Sequence, residues 1–231
     1  CTKFLKEAFS LHNFYLFRAG LIGFVCGAFP FGYLFVKATK GINILEVGSG
    51  RTGGTNSYRA AGFGTGIITA LSDVLKGFAA VWLVRYFLGP LLSEDWFPWL
   101  TVVAGVMAVV GHNWSIFLGW RGGAGTGPNV GWATAVWWPM FPISWVVMFI
   151  FLIGVGMASV ASLAMAAVIP AAFMILYIAG VPGYDSSIAY IVGGFASAGV
   201  VVWALRPNIK RLLAGEETLV GPRARALERK Q

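Results

Sequence analysis

Residues 122–184 form a run of 63 positions without a single charge. A water-soluble domain rarely holds such a run, whereas the core of a bilayer requires one, at about 20 apolar residues per helical crossing. Arg121 closes the run on one side and Asp185 on the other. If basic residues mark one face of a membrane and acidic residues the opposite face, an odd number of crossings must join them. One crossing is far too few for this length, and three give about 20 residues each. Pro139 and Pro142 then mark the first turn, and residues 154–159 the second.

The rest of the chain fits the same reading. It is 58% hydrophobic and only 11% charged, with a mean hydropathy of +0.75. Further apolar runs at residues 19–36, 66–84, 97–120 and 188–205 add four crossings. The connection after the first run carries Lys37, Lys40, Arg51 and Arg59 against Glu46, so the positive-inside rule makes it cytoplasmic. Glu94 and Asp95 sit in an opposite connection with no base. The expectation is an all-α integral membrane protein of seven transmembrane helices, N-terminus outside and C-terminus cytoplasmic, with glycine-rich cytoplasmic loops. It forms a single membrane domain over residues 1–231, with an interfacial N-terminal segment at 1–18 and a basic cytoplasmic tail at 206–231.

Charge and cysteine usage narrow the function classes. The net charge is +8, and seven of seventeen basic residues lie between 206 and 230, so anionic membrane lipids are the expected partner and nucleic acid is not. Cys1 and Cys26 are too few for a disulfide framework. Cys1 opens the sequence, which suits either a lipidated mature terminus or a shortened chain. No cysteine–histidine cluster suggests a metal site, no cofactor is implied, and no Gly-x-Ser-x-Gly pattern offers a serine nucleophile.

Three polar, glycine-rich stretches fall on one side of this topology: GSGRTGGTNSYRAAG (48–62), GHNWSIFLGWRGGAGTG (111–127) and NIKRLLAGEE (208–217). Backbone N–H groups freed by glycine, with arginine nearby, are a common way to hold phosphate. Asp73 and Lys76, three apart on one helix, read as a local ion pair. Ser159 and Ser162 read as helix-packing residues. His112 suits either a substrate contact or a bond to backbone at a helix end.

With GAFPFGYLF (27–35), EVGSGRTGGTNSYRAAG (46–62), DVLKG (73–77), SVAS (159–162) and the second and third stretches in this order, the chain resembles the bacterial acyl-phosphate:glycerol-3-phosphate acyltransferases. That resemblance implies a seven-helix, N-out enzyme of the bacterial inner membrane with a cytoplasmic active face. It would move a fatty acyl group from acyl phosphate to the sn-1 hydroxyl of glycerol 3-phosphate, giving lysophosphatidate for phospholipid synthesis. Carried over by position, it assigns Ser49, Arg59 and Asn208 to catalysis. Thr55, Asn56, His112, Arg121, Gly122, Gly123, Gly125, Lys210 and Glu217 would bind substrate.

The chain departs from the family pattern at four places. Arg51 stands where asparagine is usual, Ala124 where lysine is usual, Thr126 to Pro128 where Val-Ala-Thr is usual, and Leu205 where histidine is usual. These departures motivate an alternative: a catalytically degenerate member serving, with other membrane subunits, as a structural or lipid-binding part of a larger complex.

Overall fold

Pro30 has no backbone N–H to donate and sets the first bend of the chain. A computed structural model describes residues 2–184 and 188–220, with side chains from residue 11 onward. Among these residues the first apolar run divides into α1 (Thr2–Ala28) and α2 (Phe31–Lys40). Gly41, at φ +71°, ends α2. A loop then leads to α3 (Gly54–Ala61) and α4 (Phe63–Leu88), followed by α5 (Phe97–Asn113), α6 (Thr126–Val136), α7 (Met140–Gly154), α8 (Ala158–Ile178) and α9 (Ala189–Leu213). One isolated bridge, between Ser115 and Arg121, is the β-type pairing among the described residues.

Several boundaries differ from expectation. The N-terminal segment continues into α1 as one helix. In the run at 97–120 the α-helix ends at Asn113; a 3-10 turn at Ile116–Leu118 follows, and the chain then turns through Gly119 and Trp120, both at positive φ. Three helices fill the uncharged run, but they are unequal, with 11, 15 and 21 residues. Pro142 lies in the first turn of α7, where its missing N–H has no intrahelical partner to lose, so Pro139 alone marks the turn. α9 does not stop at residue 205 but runs on to Leu213 with Pro207 inside it. Among the described residues, four segments are long and apolar enough to cross a membrane: Leu11–Lys40, Phe63–Leu91, Ala158–Ile178 and Ala189–Leu213. Phe97–Asn113 and Met140–Gly154 are apolar but shorter. Cys1, the acidic connection at Asp185 and the end of the basic tail from residue 221 lie outside the described residues.

The carbonyls at the Pro30 bend are met from α4 and from the connection after α5. Ser115 Oγ donates to Ala28 O at 2.6 Å, and Lys76 Nζ donates to Phe29 O at 3.0 Å. Lys76 also forms the expected pair with Asp73, at 3.0 Å, and lies 2.7 Å from His112 Nδ1. Four elements, α1, α2, α4 and α5, are thereby joined at one buried point.

Close approach elsewhere depends on small residues. α1 packs on α5 with Gly23 and Gly27 facing Ala104 and Ala108; a Cβ at Gly27 would lie 2.6 Å from the Ala108 Cα. Such small-residue spacing lets helix backbones touch where no hydrophobic force separates lipid from protein. α4 and α6 meet likewise, with Gly77 against the Pro128 backbone. The main core centres on Trp132, fully buried, whose Nε1 donates to Asn129 Oδ1 at 2.7 Å and whose ring lies 5.5 Å from that of Phe173.

Two stability outcomes are expected in detergent. Gly27→Ala should lower stability by roughly 1–3 kcal/mol through overpacking, whereas Gly199→Ala, whose Cβ enters open space, should be neutral or slightly stabilising; thermal unfolding of both variants checks this. Lys76→Met should cost about 3–5 kcal/mol, since it strands the buried Asp73 carboxylate. Adding Asp73→Asn should restore part of that loss in the same measurement.

Candidate active site

The first glycine-rich loop is wound around Asn56. Its Oδ1 accepts the Ser49 N–H at 3.2 Å, while its Nδ2 donates to the carbonyls of Val47 and Arg51, each at 2.9 Å. Gly48 and Gly50 supply the positive φ that this tight path demands. Asn56, expected to bind substrate, therefore has its amide committed to loop backbone and acts by holding Ser49 and Arg51 in place.

The second loop is tied to the first. Thr52 N–H donates to Gly122 O at 3.3 Å, and Arg121 Nη2 donates to Leu45 O at 3.0 Å. Gly123 N–H bonds to His112 O at 3.0 Å, and a side chain at Gly123 would strike the His112 ring. Gly125, at φ +80°, starts α6. Arg121, Gly122, Gly123 and Gly125 thus shape and join loops, and none of the four lines the main cavity described next.

That cavity has a volume of about 890 Å³. Ser49, Thr55, Asn56, Arg59, His112, Asn208 and Glu217 all line it, so residues from all three polar stretches converge. Part of its wall is apolar, with Phe63, Trp145, Met148, Phe149 and Leu152. A polar, cationic end continuous with an apolar wall suits an amphiphile bearing an anionic group.

Glu217 organises the polar end. Its Oε1 accepts from Ser159 Oγ and Asn208 Nδ2, both at 2.8 Å, and its Oε2 accepts from Arg211 Nε at 3.0 Å. Ser159 is thus a partner of the buried carboxylate as well as a packing residue. Arg211, not Lys210, faces the cavity: Asn208 and Arg211 are three apart on α9 and share a face, while Lys210 is exposed. Sequence spacing from Asn208 could have found Arg211, had α9 been carried past Pro207.

Arg59 makes no hydrogen bond among the described residues. Burial pulls its guanidinium down from the usual arginine value, with Glu217 opposing. Arg51 is lowered in the same way, by burial first and then by Arg211, again opposed by Glu217. Partly desolvated cations without a bonded acid favour an incoming anion. Ala124 and Leu205 also line the cavity and add no charge. Among the described residues, no group of three or more His, Cys, Asp or Glu could hold a metal ion.

Comparisons with known proteins agree with this geometry. Residues 17–215 match the family model described as glycerol-3-phosphate acyltransferase. Relatives named glycerol-3-phosphate acyltransferase include one from Trichormus variabilis, 35% identical over 213 residues, covering 87% of this chain and 90% of the relative. Another, from Gloeobacter violaceus, is 34% identical over 198 residues, covering 86% and 91%. A crystal structure of PlsY, an integral membrane glycerol 3-phosphate acyltransferase, in its glycerol 3-phosphate form superposes with a TM-score of 0.74 at 27% identity, covering 89% of this chain and 96% of that one. Its lysophosphatidic acid form gives 0.73 at the same identity, covering 89% and 95%. This multi-pass membrane protein belongs to the glycerol-3-phosphate acyltransferase family.

Proposed function

We propose that this acyltransferase moves a fatty acyl group from acyl phosphate to the sn-1 hydroxyl of glycerol 3-phosphate, releasing lysophosphatidate and orthophosphate. The observation that carries the reading is the one cavity on which three separated polar stretches converge, lined by cationic and by apolar residues. The family and the two ligand forms of PlsY support it. The charge distribution supports seven crossings, N-terminus outside, in one membrane domain of the bacterial inner membrane, with the cavity's polar end at the cytoplasmic face.

In this reading Arg59 pairs with the phosphate of glycerol 3-phosphate. Ser49 and Thr55 offer hydroxyls to the glycerol backbone, and Asn208, oriented by Glu217, offers its amide. His112 lies deeper, beside Lys76 and Asp73, and keeps the floor of the cavity polar. The apolar wall takes the acyl chain. Acyl phosphate is already activated, so orienting two anions and offsetting their repulsion supplies much of the catalysis. The departures at Ala124 and Leu205 leave Ser49, Arg59 and Asn208 together on the cavity, which argues against the structural-subunit alternative.

Purified protein in detergent should release phosphate and form lysophosphatidate from acyl phosphate and glycerol 3-phosphate. No product above background, beside an active PlsY-type control, would sink the reading. Arg59→Ala should lower kcat/KM for glycerol 3-phosphate by roughly a hundredfold, the loss expected of a desolvated charge-assisted contact. Lys210→Ala should stay within about twofold, as an exposed charge outside the cavity. Leu152→Trp should shift preference towards shorter acyl phosphates, read by comparing kcat/KM across chain lengths.

A further inference from the structure

A second, smaller pocket of about 180 Å³ adjoins the cavity, between the end of α5, the glycine-rich loop and α9. Arg51 lines both spaces. Its Nη2 donates to Ala204 O, which pins the guanidinium at the junction. Its Nη1 is buried with no partner among the described residues. Asn113, 5% exposed, also lines the small pocket, and neither its Oδ1 nor its Nδ2 has a partner among the described residues. Arg206 borders the pocket with its guanidinium stacked over Trp203, 4.1 Å from the ring centroid. Among the described residues no acid lines the pocket. Buried, unmet donors beside two arginines form a site that is costly to leave without an anion.

The charges around the cavity point the same way. Glu217 bonds Arg211, leaving Arg51 and Arg59 as cavity-lining arginines without a bonded acid. The proposed reaction brings two phosphate groups together. Arg59 opens only onto the main cavity, while Arg51 also faces the side pocket.

We propose that the side pocket holds the orthophosphate released by the transfer, with Arg51 as its binding cation and Asn113 as a second donor. This rests on the acyl-transfer reading. The ester forms as the glycerol hydroxyl oxygen bonds the acyl carbon and the carbon–oxygen bond to phosphate breaks; the hydroxyl proton leaves on the released hydrogen phosphate. Arg51 meets that phosphate at the junction and draws it aside, clearing the cavity for the lysophosphatidate.

The test is binding of inorganic phosphate to the purified protein in detergent at fixed ionic strength, with product inhibition by phosphate measured alongside. Arg51→Gln should weaken phosphate binding and raise the inhibition constant by about tenfold or more, the size of one charge-assisted contact. Its KM for glycerol 3-phosphate should move less than about twofold, and Arg51→Lys should recover most of the phosphate affinity. Asn113→Leu should weaken phosphate binding without changing that KM. Phosphate binding that survives Arg51→Gln but is lost in Arg59→Ala would overturn the proposal. So would Arg51→Gln moving both substrates' KM values and the unfolding temperature together, since that is what loss of the Ala204 tie alone would do. Arg51-dependent binding to phosphatidate-doped micelles but not to free phosphate would identify a lipid headgroup site and overturn it as well. The binding measurement needs no turnover: Arg51-dependent phosphate binding in a protein without acyl transfer would discard the reaction and keep the anion site.

Discussion

Lys76 Nζ is the contact on which the arrangement of the helices around the cavity depends. Taking an ammonium and a carboxylate out of water costs several kcal/mol per ion, and mutual attraction offsets this only when the remaining bonds are also made. Here they are made across the fold: to Asp73 on its own helix, to His112 on α5, and to the Phe29 carbonyl freed by the Pro30 bend. The bend, whose Phe29 carbonyl also accepts the Phe31 N–H at 3.2 Å, becomes a joint. That joint sets the direction of α2, and so the place where the first glycine-rich loop begins.

From that joint the polar end of the cavity follows by a series of short ties. Asn56 winds the first loop. Arg121 and the Gly122 carbonyl fasten the second loop to it. Arg51 fastens the first loop to α9 through Ala204 O. Glu217 then draws α8 and α9 together through Ser159, Asn208 and Arg211. Many of the conspicuous polar residues hold backbone rather than face open space, and the groups left unbonded, the Arg59 guanidinium and the Nη1 of Arg51 above all, are the ones available to an anion. Desolvated cations positioned before substrate arrives cost little reorganisation when charge develops.

Much of this was legible in the sequence, though at different depths. The uncharged run at 122–184 does fold as helices, and the three polar stretches meet in space. The Asp73–Lys76 pair follows from i,i+3 spacing alone. What was not legible was direction. Lys210 and Arg211 are adjacent and chemically alike, yet one is exposed and the other bonds Glu217, because α9 continues through Pro207 and fixes their phase. Gly122 and Gly123, expected to bind substrate, line the side pocket, with the carbonyl of one and the N–H of the other taken by Thr52 and His112. Ser159 finds its partner 58 residues away, a distance that no local pattern reports.

Composition and the placement of charge determined by themselves that the chain is apolar, helical and polar chiefly in a few loops, since burying unpaired charge in a bilayer core is too costly. The order and wording of the motifs determined the family. Only the tertiary structure decided which polar groups hold backbone and which face the cavity, because a side chain's direction depends on helix phase and on partners distant in sequence. The bend at Pro30, the turn of Asn56 into its own loop and the free Nη1 of Arg51 are products of packing, which decides which buried donors and acceptors find a partner and which are left without one.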